Sequence, residues 1–504
     1  MTDGVGDPTG RRAWIALIAT ALIIEATYVF VVSAGHLTHW SYYIAYLNDQ
    51  AEGFRQGHLH LATEPSPALV ASPNPFAGEN AGLWYWDVSL HGGHYYLYWG
   101  PVPAMLLAAA KALFRIDTSV GDPVMVFALT SVQLAGAAWV IGRAARTVFG
   151  NPPVWLQVLS LVVVGFANPM PYNLARGAVY EAAIVGAHAF MIVGIACALE
   201  AHARPVTHRR WLALAGAAWA LALACRISVA PAIALLVLLA AAPWVGRSGE
   251  GRSRLRRRAA PLLAAGLPVA VGFGALLLYN RLRFDEWLDF GRRFQLTWIS
   301  APSAPRFILP NVYSYLLRAP SVSCRFPYVF APANLGARAF PAGYTFPDGY
   351  FVYEQVAGTL QTFPWTWAAP VGWVAAWRVW WRSRQLTGRA WAVAAATIAG
   401  FVPLIPALTL ASSTNRYLGD VAGGLGLAGT FGVWTAYDLL RGDLAWRRAA
   451  LAAAGTLGVL SVVAGLALGF YGQYAHFPAN NPPLADQLVR RLSVCGSAVP
   501  PPPN

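Results

Sequence analysis

Three carboxylates early in the chain stand where they could take a proton. Asp49 and Glu52 lie three residues apart in Ser41-Tyr-Tyr-Ile-Ala-Tyr-Leu-Asn-Asp49-Gln-Ala-Glu52-Gly-Phe-Arg55. Tyr42, Ala45, Tyr46 and Asp49 share one face of a helix with that spacing, so the segment reads as an amphipathic helix lying on a membrane. Acids three apart on such a helix are neighbours and could present a base or a metal ligand at its surface; a solvated helix face gives the same pattern. Asp87 stands in Trp84-Tyr-Trp86-Asp87-Val-Ser-Leu-His91-Gly-Gly-His94-Tyr-Tyr96-Leu-Tyr98-Trp99-Gly-Pro101-Val-Pro103. An acid among so many aromatic rings suits a site that stacks a sugar beside a lipid, although interfacial aromatic belts have this composition for structural reasons.

A second set of residues could hold an anion. Arg176, Tyr180 and Glu181 follow one another in Asn173-Leu-Ala-Arg176-Gly-Ala-Val-Tyr180-Glu181, Arg226 closes another apolar block, and Asn415-Arg416-Tyr417-Leu-Gly-Asp420 repeats the pattern. Ionisable groups at the mouths of membrane spans are costly unless paired or functional. The arginines therefore point to an anionic ligand such as a lipid phosphate, with an Arg416–Asp420 pair at i,i+4 as the local alternative. Arg281 and Arg283, interleaved with aromatics in Tyr279-Asn-Arg281-Leu-Arg283-Phe284, fit a lipid-phosphate platform just outside a span. Glu25 lies within the first apolar block and should face the bundle interior. There is no Walker loop, no GxGxxG before a helix, no HExxH and no GxSxG. No residue is assigned as a metal ligand, and the cofactor is left open with a divalent cation as the one candidate.

The elements that must position these residues are membrane helices. Of 504 residues 57% are hydrophobic and 12% charged, and mean hydropathy is +0.46, an apolar load that a water-soluble fold does not hide. Apolar blocks run at 13–34, 121–142, 153–169, 178–200, 210–226, 228–246, 259–279, 364–382, 389–411, 417–437 and 447–472. These predict an all-α polytopic transmembrane bundle of about 11 spans in a single domain. Period-2 alternation is absent, which disfavours a β-barrel.

The net charge of +14 comes from 35 arginines and the single Lys111 against 22 acids. The arginines cluster at the ends of apolar blocks, which argues for topology determinants and against a nucleic-acid surface. Short basic loops at 204–210, 247–258, 378–389 and 441–448, with Arg11, Arg12, Arg143 and Arg146, share the cytoplasmic side only if the apolar stretch 99–114 does not cross. That stretch is therefore an interfacial helix. The N-terminus is then inside the cytoplasmic membrane, and two long loops, 35–120 and 280–363, lie outside with the tail 473–504. The first block is longer than a signal-peptide core and reads as a retained span. Four cysteines without a C-x-x-C pair exclude a zinc module. Cys197 and Cys225 fall in apolar blocks. Cys324 and Cys495 both fall on the outer side, where oxidation is permitted, and are expected to form a disulfide.

In this order of parts the sequence resembles the GT-C superfamily of multispan glycosyltransferases, in the branch of protein O-mannosyltransferases and lipid A aminoarabinose transferases. The segments that carry the resemblance are Gly92-Gly-His-Tyr-Tyr-Leu-Tyr-Trp-Gly-Pro-Val-Pro103, Arg176 to Glu181, Tyr279 to Phe284 with Phe290-Gly291, and Arg416-Tyr417 to Asp420. The resemblance implies transfer of a sugar from a polyprenyl-phosphate donor to an acceptor on the outer face, among membrane lipids, with a first-loop carboxylate as base. The usual acid of such enzymes lies earlier, where this chain has Tyr42 and Tyr43, so Asp49, Asp87 or Glu52 must substitute. Asp49 ranks first for sharing a face with the tyrosines, and Asp87 second. Two other readings are a transporter or flippase for a lipid-linked saccharide, disfavoured by the lack of repeat symmetry, and an inactive lipid-binding member.

Overall fold

The computed structural model describes residues 8–245, 253–298, 302–332, 340–341, 343–351 and 354–495. Arg247 and Arg252 of the longest basic loop and Pro500 to Pro503 lie outside them. Among the described residues nearly all regular structure is helical, with two short antiparallel pairs of strands.

Among the described residues seven helical segments are long and apolar enough to cross a membrane, and the chain is a multi-pass membrane protein. They fall in helices α1 (Pro8–Val32), α4 (Asp122–Thr147), α6 (Val179–Ala203), α8 (Ala230–Val245), α9 (Ser253–Phe284), α11 (Gly388–Phe401, continued by short turns to Leu408) and α13 (Leu444–Tyr471). The other four apolar blocks fold as α5 (Val154–Phe166), α7 (His208–Cys225), α10 (Ala369–Ser383) and α12 (Ala422–Leu439), which are shorter or less apolar. Length and composition alone thus support seven crossings where the sequence suggests about eleven. The stretch 99–114 becomes the 13-residue α3 (Val102–Phe114), too short to span.

Burial sorts these apolar helices. The most apolar window of α6 is 89% buried, which puts it at the centre against α4 and α7; that of α9 is 11% buried, leaving Leu263, Val271 and Leu278 exposed. An apolar helix with exposed leucines is stable only in hydrocarbon. Backbones approach closely through small residues: a β-carbon at Gly465 of α13 would lie 1.8 Å from the Phe166 carbonyl oxygen.

Charge gathers differently at the two ends. Arg146 reaches the Gly10 carbonyl at 2.6 Å, Arg143 and Arg204 share Glu200 at 2.6 and 3.2 Å, and Arg389 and Arg441 share Asp438 at 2.5 and 2.8 Å. Arg389 also donates to the Val148 carbonyl at 3.1 Å, so among the described residues the loops at 204–210, 378–389 and 441–448 gather around the end of α4 and the start of the chain. Within the bundle Glu25 accepts a hydrogen bond from Ser131 at 2.8 Å, so it faces a neighbouring helix as expected.

The two long loops meet at one end. In the first, α2 (Tyr46–Arg55) packs on α3 through the buried Lys111, which pairs with Glu52 at 2.5 Å and donates to Asn48 at 2.7 Å. Glu52 is thus held in a joint between two helices. The hairpin β1 (Ser89–His91) and β2 (His94–Tyr96) meets the second loop, where the Leu296 N–H donates to the Val88 carbonyl at 2.9 Å. Cys324 and Cys495 are disulfide-bonded, their Cα atoms 5.5 Å apart, which ties the tail to the second loop as the sequence predicts.

Candidate active site

A cavity of about 820 Å³ opens where the long loops cover the helix ends. Its lining takes Trp86, Asp87, Tyr98 and Trp99 from the first loop, Arg283, Arg292, Gln295 and Glu354 from the second, Arg176, Tyr180 and Arg226 from helix mouths, and Arg416 further along the chain.

Asp87 is the one acid of the three first-loop candidates that lines it. Its backbone adopts a left-handed conformation, φ +61°, which costs most residues about 1–2 kcal/mol and which aspartate tolerates better than most. The second loop holds that turn in place: the Asp87 N–H donates to the Leu296 carbonyl at 2.9 Å, and Gln295 donates to the carboxylate at 3.1 Å. The Tyr180 hydroxyl donates to the other carboxylate oxygen.

The arginines of the cavity are positioned by long-range partners. Arg416 is buried, 2.8 Å from Glu354 and 3.9 Å from Glu181, with its guanidinium 4.4 Å from the Tyr180 ring centre. Glu354 also accepts from Gln473 at 2.8 Å and from Thr414, and Gln473 accepts from Arg176 at 3.0 Å. Arg176 lies 3.9 Å from Glu181, which closes a ring of five side chains. Arg226 pairs with Asp420 at 3.2 Å, so the local Arg416–Asp420 pair does not form. Five arginines (Arg176, Arg226, Arg283, Arg292, Arg416) against three carboxylates (Asp87, Asp289, Glu354) line the cavity, with Glu181 and Asp420 behind them. That excess suits an anion.

Arg281 and Arg283 separate. Arg283 is buried and bonds the Leu97 carbonyl at 2.6 Å and Asn280 at 2.9 Å; Arg281 pairs with Asp285 at 2.8 Å on the exposed side and does not line the cavity. Glu354, Gln295 and Gln473 are not anticipated by the sequence. An aperiodic loop gives no cue to any of them.

Asp49 and Glu52 lie away from the cavity lining. The Asp49 carboxylate accepts from the Thr63 N–H at 2.9 Å, and burial raises its pKa above the usual carboxylate range. A carboxyl whose folded pKa is raised adds stability at low pH and loses it as pH rises through that pKa. Asp49→Asn, which keeps an acceptor for Thr63, should therefore melt at or above wild type at pH 8, with the difference shrinking towards pH 4.5. Thermal melts at both pH values check this, and a clearly less stable variant at pH 8 would refute it.

The cavity carboxylates fit a divalent cation poorly. Asp87 is engaged by Tyr180 and Gln295, Glu354 by Arg416, Gln473 and Thr414, and Asp289 by Arg293 and the Gly291 N–H. No three-donor group gathers there among the described residues.

No family model and no curated protein matches the sequence. Solved structures do. The oligosaccharyltransferase AglB of Archaeoglobus fulgidus, in complex with an inhibitory peptide and a dolichol-phosphate, is 10% identical over 97% of this chain and 60% of its own, with a TM-score of 0.46. ArnT of Cupriavidus metallidurans, bound to undecaprenyl phosphate, is 14% identical over 96% of this chain and 80% of its own, with a TM-score of 0.44. In other structures of the archaeal protein the chain spans only 53–59% of that protein's length.

Proposed function

We propose that the protein is a membrane glycosyltransferase that moves a sugar from a polyprenyl-phosphate-linked donor to an acceptor hydroxyl at the outer face of the cytoplasmic membrane. One observation carries this reading: Tyr180 joins the two halves of the chemistry, its hydroxyl on Asp87 and its ring against Arg416 at 4.4 Å. A general base and a cationic wall thus face one cavity.

In the proposed reaction Asp87 takes the proton of the acceptor hydroxyl as its oxygen bonds to the anomeric carbon. The bond from that carbon to the phosphate oxygen breaks, and the electron pair leaves with the lipid phosphate beside Arg176, Arg226 and Arg416. Attack opposite the leaving group inverts the anomeric centre. Trp86, Tyr98 and Trp99 offer aromatic faces for the sugar ring. A base in place contributes about 10²- to 10⁴-fold, and bidentate arginine geometry suits a phosphate better than lysine does. The lipid phosphate that leaves is of the class of dolichol-phosphate and undecaprenyl phosphate, the molecules bound in the two solved structures. Purified protein given synthetic undecaprenyl-phosphate sugars and candidate acceptors should release undecaprenyl phosphate and form a glycoside. Movement of the intact donor between leaflets with no product would favour the transporter reading instead.

The proposed topology places both long loops and the tail outside. Cysteines substituted at the exposed Glu79 and Val322 should react with a membrane-impermeant thiol reagent in intact cells, whereas one at exposed Val206 between α6 and α7 should not. Native cysteines do not compete, being buried or disulfide-bonded. Labelling at only one of the first two positions would overturn this arrangement.

A further inference from the structure

The first loop holds a second cluster of reactive side chains that the cavity does not use. His58, His60 and His94 form one stack, with ring centres 4.5 Å and then 4.2 Å apart. Glu64 joins it, 3.0 Å from His94 Nδ1 and 3.6 Å from His60 Nδ1. One ligand atom each from His60, Glu64 and His94 lies within 4.8 Å of the other two, and none of the three residues lines the cavity.

The backbone places these groups before any ligand arrives. The Leu61 N–H donates to the Tyr95 carbonyl at 2.8 Å, which sets His60 beside His94 on β2. Asp49 anchors the approach to Glu64, its carbonyl accepting from Ala62 at 3.2 Å and its carboxylate from Thr63 at 2.9 Å. Gly53 of α2 lets the segment pass: a β-carbon there would lie 2.1 Å from the His60 carbonyl oxygen. His60 Nδ1 lies 2.8 Å from the Leu61 carbonyl. The same Nδ1 faces Glu64, so a metal held there takes its lone pair in place of this hydrogen bond.

We propose that His60, Glu64 and His94 bind one divalent ion of the zinc class, which clips the segment 58–64 to the β1–β2 hairpin. Two imidazoles and a carboxylate form a zinc donor set that leaves a fourth position for water. Magnesium and calcium favour all-oxygen sets. The alternative is a plain surface ion pair of Glu64 with protonated His94, which binds no metal. The site is independent of the transfer reaction, so failure of one leaves the other standing.

The test uses full-length, tag-free protein in detergent, stripped with a chelator, equilibrated with Zn²⁺ and gel-filtered, with metal counted by mass spectrometry. Wild type should retain about one equivalent at pH 7.5. Its melting temperature should rise by a few degrees with zinc, because an ion that binds only the folded state stabilises it. His60→Ala, His94→Ala and Glu64→Gln should each lose the ion and the shift while melting near metal-free wild type. His58→Ala should keep both. Glu64→Gln, at an exposed carboxylate, serves if a histidine variant fails to accumulate. Wild type retaining no zinc, the three variants retaining as much as wild type, or loss of zinc in His58→Ala would each overturn the assignment.

Discussion

Asp87→Asn should lower the turnover number by about 10²-fold or more with an identified donor, and leave the melting temperature close to wild type. Asparagine keeps one oxygen for the Tyr180 hydroxyl, and its NH2 can donate to the Gln295 amide oxygen once that amide is flipped. It cannot take a proton at neutral pH. Asp49→Asn and Glu52→Gln, altered away from the cavity lining, should keep turnover within a few-fold of wild type. Steady-state rates of the three variants, measured side by side, decide the matter. Wild-type transfer by Asp87→Asn would place the base elsewhere, and a 10²-fold loss in Asp49→Asn instead would return the role to the residue the sequence ranks first.

Arg416→Gln should be the most damaging change to the cationic wall. It leaves Glu354 and Glu181, both buried, without their shared guanidinium. Removing one partner of a buried pair costs about 3–5 kcal/mol because the remaining charge is stranded. The Arg416→Gln protein should melt well below wild type, and what survives should bind undecaprenyl phosphate weakly by native mass spectrometry. Adding Glu354→Gln removes a stranded carboxylate and should recover part of the stability, a coupling that a double-mutant cycle measures. A single variant as stable as wild type, or a double variant that is simply additive, would show that the ring of side chains through Arg416 does not hold this wall together.

Much of the architecture was legible in one dimension because the bilayer imposes a length on each apolar helix. Each apolar block of the sequence holds a helix, although only seven meet the length and apolarity of a span. The status of 99–114 followed from charge bookkeeping, and the Cys324–Cys495 bond from those being the only cysteines outside apolar blocks. Arg176, Arg226 and Arg416 could be singled out because an ionisable group at a span mouth is expensive, and the structure brings all three to one cavity.

Which side chains meet was decided only in three dimensions. Arg416 pairs with Glu354, far away in the chain, and Asp420 with Arg226, where i,i+4 spacing suggested Arg416 with Asp420. Arg281 and Arg283, two residues apart, point to nearly opposite sides because a helix turns about 200° over two residues; one is exposed and the other is buried beneath the first loop. Asp49, Glu52 and Asp87 are equivalent as residue types, yet the first fastens a backbone segment, the second meets Lys111 and the third faces the cavity. Apolar length and charge placement act locally and so survive in the sequence. Convergence of side chains depends on contacts between segments hundreds of residues apart, which no local pattern records.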